Sequence, residues 1–162
     1  MSADDASSTA GLRWGDVAPD LELPNQHGRT VSLASLRGHD VIVYFFPKAF
    51  SPGCTEEVCA YRDNQDAFAS AGYVVIGVSP DPVEQLAEFA GANGVEHDLL
   101  SDPGSEAARR WGAYGDKVVN GQPQVGPTRS TFVVGGDGLL RSVQHHVEPA
   151  AHVTALGQQY QT

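Results

Sequence analysis

Both cysteines of the chain lie directly downstream of its most apolar run, Val41-Ile42-Val43-Tyr44-Phe45-Phe46. That run is short, β-branched or aromatic throughout, and closed by Pro47, so it predicts a buried central strand. Ser51-Pro52 then predicts a helix start, with a hydroxyl residue at the cap and a proline at the first helical position. Val58, Tyr61 and Phe68, set among polar residues, extend an amphipathic helix from Thr55 to Ala69. The order strand, tight turn, helix puts Cys54 in the first turn of a helix, at the carboxyl end of a core strand.

A thiol at that place has two readings. A thiol reacts as its thiolate, and the unpaired N–H groups and positive dipole end of a helix start favour that anion. Gly53 beside it would leave the sulfur approachable. Free cysteine is also a common small core residue, so placement alone leaves an inert thiol open. Glu56 and Glu57 sit where carboxylates favour a helix dipole, and they oppose the thiolate slightly.

The rest of the chain supplies the frame. Leu21-Glu22-Leu23 and Thr30-Val31-Ser32-Leu33 alternate around Asn25-Gln26-His27-Gly28 and predict a small hairpin, with Trp14 and Val17 packed beneath it. Ala34 to Arg37 makes one helical turn. Tyr73 to Val78 is a second buried strand, and Asp81-Pro82-Val83-Glu84 opens a helix with Asp81 as cap. Asp98-Leu99-Leu100 is a brief edge strand, and Ser105 to Trp111 a short helix. The glycines and prolines from Gly112 to Pro127 predict a loop or loose hairpin. Thr131 to Val134 is a third strand, the turn Gly135-Gly136-Asp137-Gly138 returns it as Leu139 to His145, and Pro149 to Gln159 is the last helix. Two β-α-β crossovers followed by a hairpin and a helix describe a thioredoxin-like α/β sandwich with an N-terminal β-hairpin extension. Residues 1–11 read as a flexible tail and residues 12–162 as a single domain.

The segment Pro47-x-x-x-Ser51-x-x-Cys54 resembles the active-site signature of the peroxiredoxins, and a second cysteine five positions later resembles their Q-type branch, the bacterioferritin comigratory proteins. The resemblance continues through Tyr61-Arg62-Asp63, Gly77-Val78-Ser79-Pro80-Asp81, Leu100-Ser101-Asp102 and Arg129-Ser130-Thr131-Phe132-Val133-Val134. It implies a peroxidase in which Cys54 attacks the terminal oxygen of hydrogen peroxide or an alkyl hydroperoxide and becomes a sulfenic acid. It further implies that Ser51 hydrogen-bonds the peroxide, that Arg129 stabilises the thiolate and the leaving oxygen, and that Pro47 shields the pocket. The backbone N–H groups of Gly53 and Cys54 complete the set. Cys59 would resolve the sulfenic acid as an intramolecular disulfide, which a thioredoxin-type dithiol protein would reduce; glutaredoxin or a small thiol stays open. Phe50, beside the pocket mouth, is expected to favour organic hydroperoxides. No cofactor or metal is expected, since the adjacent His145 and His146 would point to opposite faces of a strand, and Q-type members are often monomers.

Geometry sets a condition on that disulfide. Two residues five apart on a continuous α-helix lie about 140° apart around the axis and about 7.5 Å along it, a Cα separation of about 8.6 Å. Disulfides need less than about 7 Å, so the first turns must unwind. Two competing readings share the fold. A disulfide reductase would carry Cys-x-x-Cys rather than this wider spacing. A copper-binding chaperone would pair the thiols with a distant histidine, His145 or His146, but has no use for Arg129.

Composition bounds the partners. A net charge of −10 argues against nucleic acid and anionic membrane surfaces. Two cysteines are no disulfide framework, and the acidic first residues show no secretory signal, so a reducing, cytoplasmic setting is expected.

Overall fold

A computed structural model of the chain describes residues 12–119, 121–149 and 151–160; the tail expected over residues 1–11 lies outside the described residues. Strands β1 (Glu22–Pro24) and β2 (Thr30–Ser32) form the antiparallel N-terminal hairpin, followed by a single helical turn at Leu33–Leu36. The main sheet contains β3 (Asp40–Phe45), β4 (Tyr73–Ser79), β5 (Asp98–Ser101), β8 (Ser130–Val134) and β9 (Leu140–His145), in the order β5-β4-β3-β8-β9. Between β5 and β8, β6 (Tyr114–Val119) and β7 (Gln122–Pro127) pair with each other as a separate hairpin. The helices are α1 (Pro52–Asp63), α2 (Gln65–Ser70), α3 (Val83–Asn93), α4 (Glu106–Arg110) and α5 (Ala151–Tyr160). This is the thioredoxin-like sandwich that the element order predicts. Among the described residues no helix is long and apolar enough to cross a membrane.

Successive side chains of a strand face opposite sides, and β3 uses both. Ile42, Tyr44 and Phe46 join a core with Val58 and Tyr61 of α1, Phe68 of α2, Leu86 and Phe89 of α3, and Val153 of α5. Val41, Val43 and Phe45 join a second core with Leu21, Leu33, Ala107, Trp111 and Phe132. Each large side chain so buried stabilises the fold by about 1.5–3 kcal/mol. Because β3 is covered on both faces, its sequence shows no polar alternation.

Three local expectations are corrected, and two are sharpened. The helix expected from Thr55 to Ala69 breaks at Asn64 (φ −101°, ψ 7°), whose Nδ2 donates to the Ala60 carbonyl at 2.8 Å. Trp14 and Val17 do not pack beneath the hairpin: Trp14 is 77% exposed, and exposed Val17 bridges Leu139. Asp81 does not cap α3; Pro82 holds the cap position, and Asp81 Oδ2 instead accepts from the Ala49 N–H at 2.7 Å and the Ser79 hydroxyl at 2.8 Å. The turn predicted at 135–138 is present and tight. Gly138 (φ 85°) donates to the Gly135 carbonyl at 2.8 Å, and a Cβ at either glycine would run into an arginine side chain, Arg37 or Arg141. The segment 112–127, expected as a loop or loose hairpin, is a hairpin with an unbroken ladder from Tyr114↔Pro127 to Val119↔Gln122.

One buried pair makes stability depend on pH. The Tyr44 hydroxyl and His97 Nε2 are 2.7 Å apart, and burial pushes the His97 imidazole down to about 4. An unfolded histidine titrates near 6.5, so the folded protein resists protonation. The stabilising contribution is complete above pH 6.5 and is lost as pH falls towards 4. Between pH 7 and pH 4.5 the loss from this group is about 2–3 kcal/mol. His97→Gln is expected to lose less stability than the parent over that interval, as urea unfolding at the two pH values would record; equal losses would remove His97 as the cause.

Candidate active site

β3 and β8 are antiparallel neighbours with Phe45 opposite Ser130. The carboxyl end of β3 therefore lies beside the start of β8, and the residues just outside the ladder, the Cys54 turn and Arg129, are brought together. After Pro47 the chain reverses through Phe50, which has a left-handed backbone (φ 68°). The Ala49 N–H bond to Asp81 ties this reversal to the end of β4. Ser51 is the extended cap residue of α1, and Pro52 opens the helix. The Ser51 side chain does not cap; its hydroxyl donates to the Lys48 carbonyl at 2.9 Å. With its proton committed there, Ser51 Oγ keeps lone pairs to accept a hydrogen bond.

Cys54, Glu57, Val58 and Tyr61 form the buried face of α1, the i, i+3, i+4, i+7 pattern of a helix against a core. The Cys54 side chain is fully buried. Arg129 Nη2 donates to Cys54 Sγ at 3.4 Å, and Nη1 donates to Glu57 Oε1 at 2.7 Å. A Cβ on Gly53 would sit 3.0 Å from that Nη2. Glycine here makes room for the guanidinium rather than leaving the sulfur open.

A carboxylate on the buried face is expensive unless paired. Burial raises the Glu57 carboxyl to about 8 against the opposing pull of Arg129, and Oε2 has no hydrogen-bond partner. Burial alone would lower the Arg129 guanidinium, but Cys54 and Glu57 together hold it above its ordinary range. Charge on the arginine is secure, and the group it can stabilise is the sulfur. Sequence reasoning assigned Glu57 to the helix dipole with Glu56. Only Glu56 is exposed. The available signal was the spacing of Glu57 from Cys54, which puts both on one helix face.

Beside the start of α1 lies a cavity of about 510 Å³ whose lining includes Pro47, Lys48, Ser51, Gly53, Lys117 and Arg129; the buried Cys54 does not line it, and Arg129 is the residue that both lines it and touches the sulfur. A larger groove of about 640 Å³ runs along the β6–β7 hairpin and is lined by hairpin residues alone. Phe50 is not among the residues lining the cavity; it is 48% exposed and packs edge-on against Phe89 at 5.1 Å between ring centroids. His145 and His152 turn to hydroxyls of β8, Ser130 and Thr131, each at 2.8 Å. Among the described residues no three His, Cys, Asp or Glu side chains are grouped to hold a metal ion.

The family described as AhpC/TSA matches residues 14–143. Peroxiredoxin Bcp of Escherichia coli is 38% identical over 141 residues, which are 87% of this chain and 90% of that protein. The chain belongs to the peroxiredoxins of the AhpC/TSA family. A provisionally named peroxiredoxin of Mycobacterium tuberculosis is 47% identical over 150 residues, 93% of this chain and 96% of its own. Among solved structures, the bacterioferritin comigratory protein of Xanthomonas campestris superposes with a TM-score of 0.80 at 28% identity, covering 86% of this chain and 89% of that one. The BcpB protein of M. tuberculosis gives 0.80 at 31% identity, covering 92% and 96%. As a peroxiredoxin, the protein is a thiol-dependent peroxidase, an oxidoreductase.

Both thiols of this peroxiredoxin are free. Cys59 lies half-buried on the same unbroken helix as Cys54, and its thiol points to Asn93 Oδ1 at 3.6 Å. The helix is intact, so the condition on a Cys54–Cys59 bond stands: α1 must open first.

Proposed function

We propose that Cys54 is the peroxidatic thiol, reducing hydrogen peroxide and alkyl hydroperoxides, and that Cys59 resolves it. The observation carrying this reading is the guanidinium of Arg129, which lines the cavity and donates to Cys54 Sγ at 3.4 Å. The thiolate attacks the terminal oxygen; the O–O bond breaks, the sulfur becomes a sulfenate, and the departing oxygen leaves with the hydroperoxide proton as water or an alcohol. Arg129 stabilises the negative charge as it moves from sulfur to oxygen. Ser51 accepts the hydroperoxide O–H, the N–H groups of Gly53 and Cys54 donate, and Pro47 keeps water from the floor. Phe50, half exposed on the same loop, offers an alkyl tail an apolar surface outside the cavity.

The protonated sulfenic acid then reacts with the Cys59 thiol, forming the disulfide and releasing water. A thioredoxin-type dithiol returns both cysteines to thiols while becoming a disulfide itself. Two cysteines kept for chemistry rather than as a disulfide framework support a reducing compartment, the cytoplasm, and we read the working form as a monomer.

The test is one equivalent of hydrogen peroxide added to reduced protein, with intact mass and free thiols followed over time. The parent is expected to lose two thiols and two hydrogens. Cys54→Ser should keep its remaining thiol, and Cys59→Ser should accumulate a trappable sulfenic acid. Persistence of both parental thiols in the presence of peroxide would end the proposal.

A further inference from the structure

The two ends of α1 are fastened differently. At its start the polar ties run through Arg129, with Nη2 on Cys54 Sγ and Nη1 on Glu57 Oε1. At its end Arg62 Nη1 donates to the Asn93 carbonyl at 2.6 Å, while Nε and Nη2 both meet Asp63 Oδ1 at 2.9 Å. Asn93 is the last residue of α3, and the left-handed Gly94 (φ 64°) follows it. The Asn93 amide is committed as well: Nδ2 donates to the Phe89 carbonyl at 2.9 Å, and Oδ1 meets the Cys59 thiol at 3.6 Å. Cys59 and Arg62, neighbours on one helix face, thus engage the same residue of α3. The Arg62 guanidinium is held above its ordinary range by its bond to Asp63 first and then by the nearby Cys59 sulfur.

We propose that Arg62 is a positioning residue for the disulfide step: it pins the end of α1 to α3, so that opening stops between the two cysteines and Cys59 is held ready for Cys54. The inference rests on Cys59 as the resolving thiol. Oxidation alters the tie at the start of the helix, because the sulfur that Arg129 holds is the atom that changes. The tie at the end touches no reacting atom and outlasts the first step. Tyr61, fully buried and stacked on Tyr44 at 4.1 Å between ring centroids, resists opening from the same end. With Arg62 pinned, Cys54 on the opened turns searches a small volume around a fixed Cys59. With Arg62 freed, the segment between fixed points lengthens and the effective concentration of one sulfur at the other falls. The disulfide forms as the Cys54 sulfenic acid loses its hydroxyl, which leaves with the Cys59 proton as water. The competing fate is a second peroxide, which adds its oxygen to the sulfenic acid, gives a sulfinic acid and departs as water.

The experiment follows the reduced parent, Arg62→Gln and Arg62→Lys with hydrogen peroxide by rapid quench and intact mass, at one equivalent and in large excess. Sulfenic acid formation, timed for each in the Cys59→Ser background, is expected to be equal in all three. Disulfide formation in Arg62→Gln is expected to be about threefold to tenfold slower, the worth of one intramolecular hydrogen bond. In excess peroxide the same variant should collect more sulfinic acid, since the waiting sulfenic acid is oxidised again. Arg62→Lys, which keeps a cation within reach of the Asn93 carbonyl, should recover most of the rate. A disulfide step that is unchanged or quicker in Arg62→Gln would overturn the proposal. So would a slowing shared equally with the sulfenic acid step, which would mark general damage to the fold. A parent that forms sulfenic acid but no disulfide would remove Cys59 as the resolving thiol, and this inference with it.

Discussion

Arg129→Met is expected to react with hydrogen peroxide about 10²–10³-fold more slowly than the parent, the usual consequence of removing one donor aimed at developing charge. The same change leaves the Glu57 carboxyl buried without the one cation that pairs with it among the described residues. Burial already raises that carboxyl to about 8, and without Arg129 it rises further. A carboxyl raised in the folded state stabilises most below its unfolded value and loses that contribution as pH climbs through the folded value. The destabilisation by Arg129→Met should therefore be larger at pH 9 than at pH 6. Adding Glu57→Gln should remove this pH dependence and leave the reaction slow. Urea unfolding at the two pH values, beside stopped-flow rates, separates the two effects; a double variant that regains the parental rate would show that the guanidinium is needed for folding and not for chemistry.

The oxidised protein is expected to melt below the reduced protein, contrary to the usual effect of a cross-link. A disulfide closing a loop of about six residues restrains the unfolded chain by only about 2 kcal/mol. Forming it from an intact α1 requires opening the turns that carry Cys54, Glu57 and Val58, all fully buried. Val58 alone loses about 1.5–3 kcal/mol of burial, and the Glu57–Arg129 ion pair separates as well. A net loss of about 2 kcal/mol lowers the melting temperature by roughly 5 °C for a chain of this size. Calorimetry of the two forms tests this, with amide exchange expected to quicken along residues 54–60 on oxidation. An oxidised form with a raised melting temperature and slow exchange there would mean that α1 stays closed and Cys59 is not the partner.

Much of the fold is legible because its signals are local. The run Val41–Phe46 cannot be solvated, Pro47 ends it, and Ser51-Pro52 starts a helix whatever the remainder of the chain does. The same locality misleads where a distant partner competes. Asp81 carries a helix-cap signature, yet the Ala49 N–H takes its carboxylate. Asn64 reads as one more polar residue of a long helix, but its amide bonds back to Ala60 and the helix breaks there. Glu57 is the clearest case. Its cost of burial is met by a residue 72 positions away, through a strand pairing that no property of α1 announces. The positions of Cys54 and Arg129 followed from family motifs; the distance between them, and the two lysines over the cavity, needed the register of β3 on β8 and the β6–β7 hairpin.

That register also sets when the site comes into being. Cys54 and Arg129 are 75 positions apart and meet only through the pairing of β3 with β8. During synthesis, the cysteine leaves the ribosome well before the codon for Arg129 is read, and a partly made chain has the thiol but not the guanidinium. On the proposed chemistry, an unfinished or misfolded copy has the thiol without the guanidinium that would activate it, and quality of folding becomes a condition for spending the thiol at all.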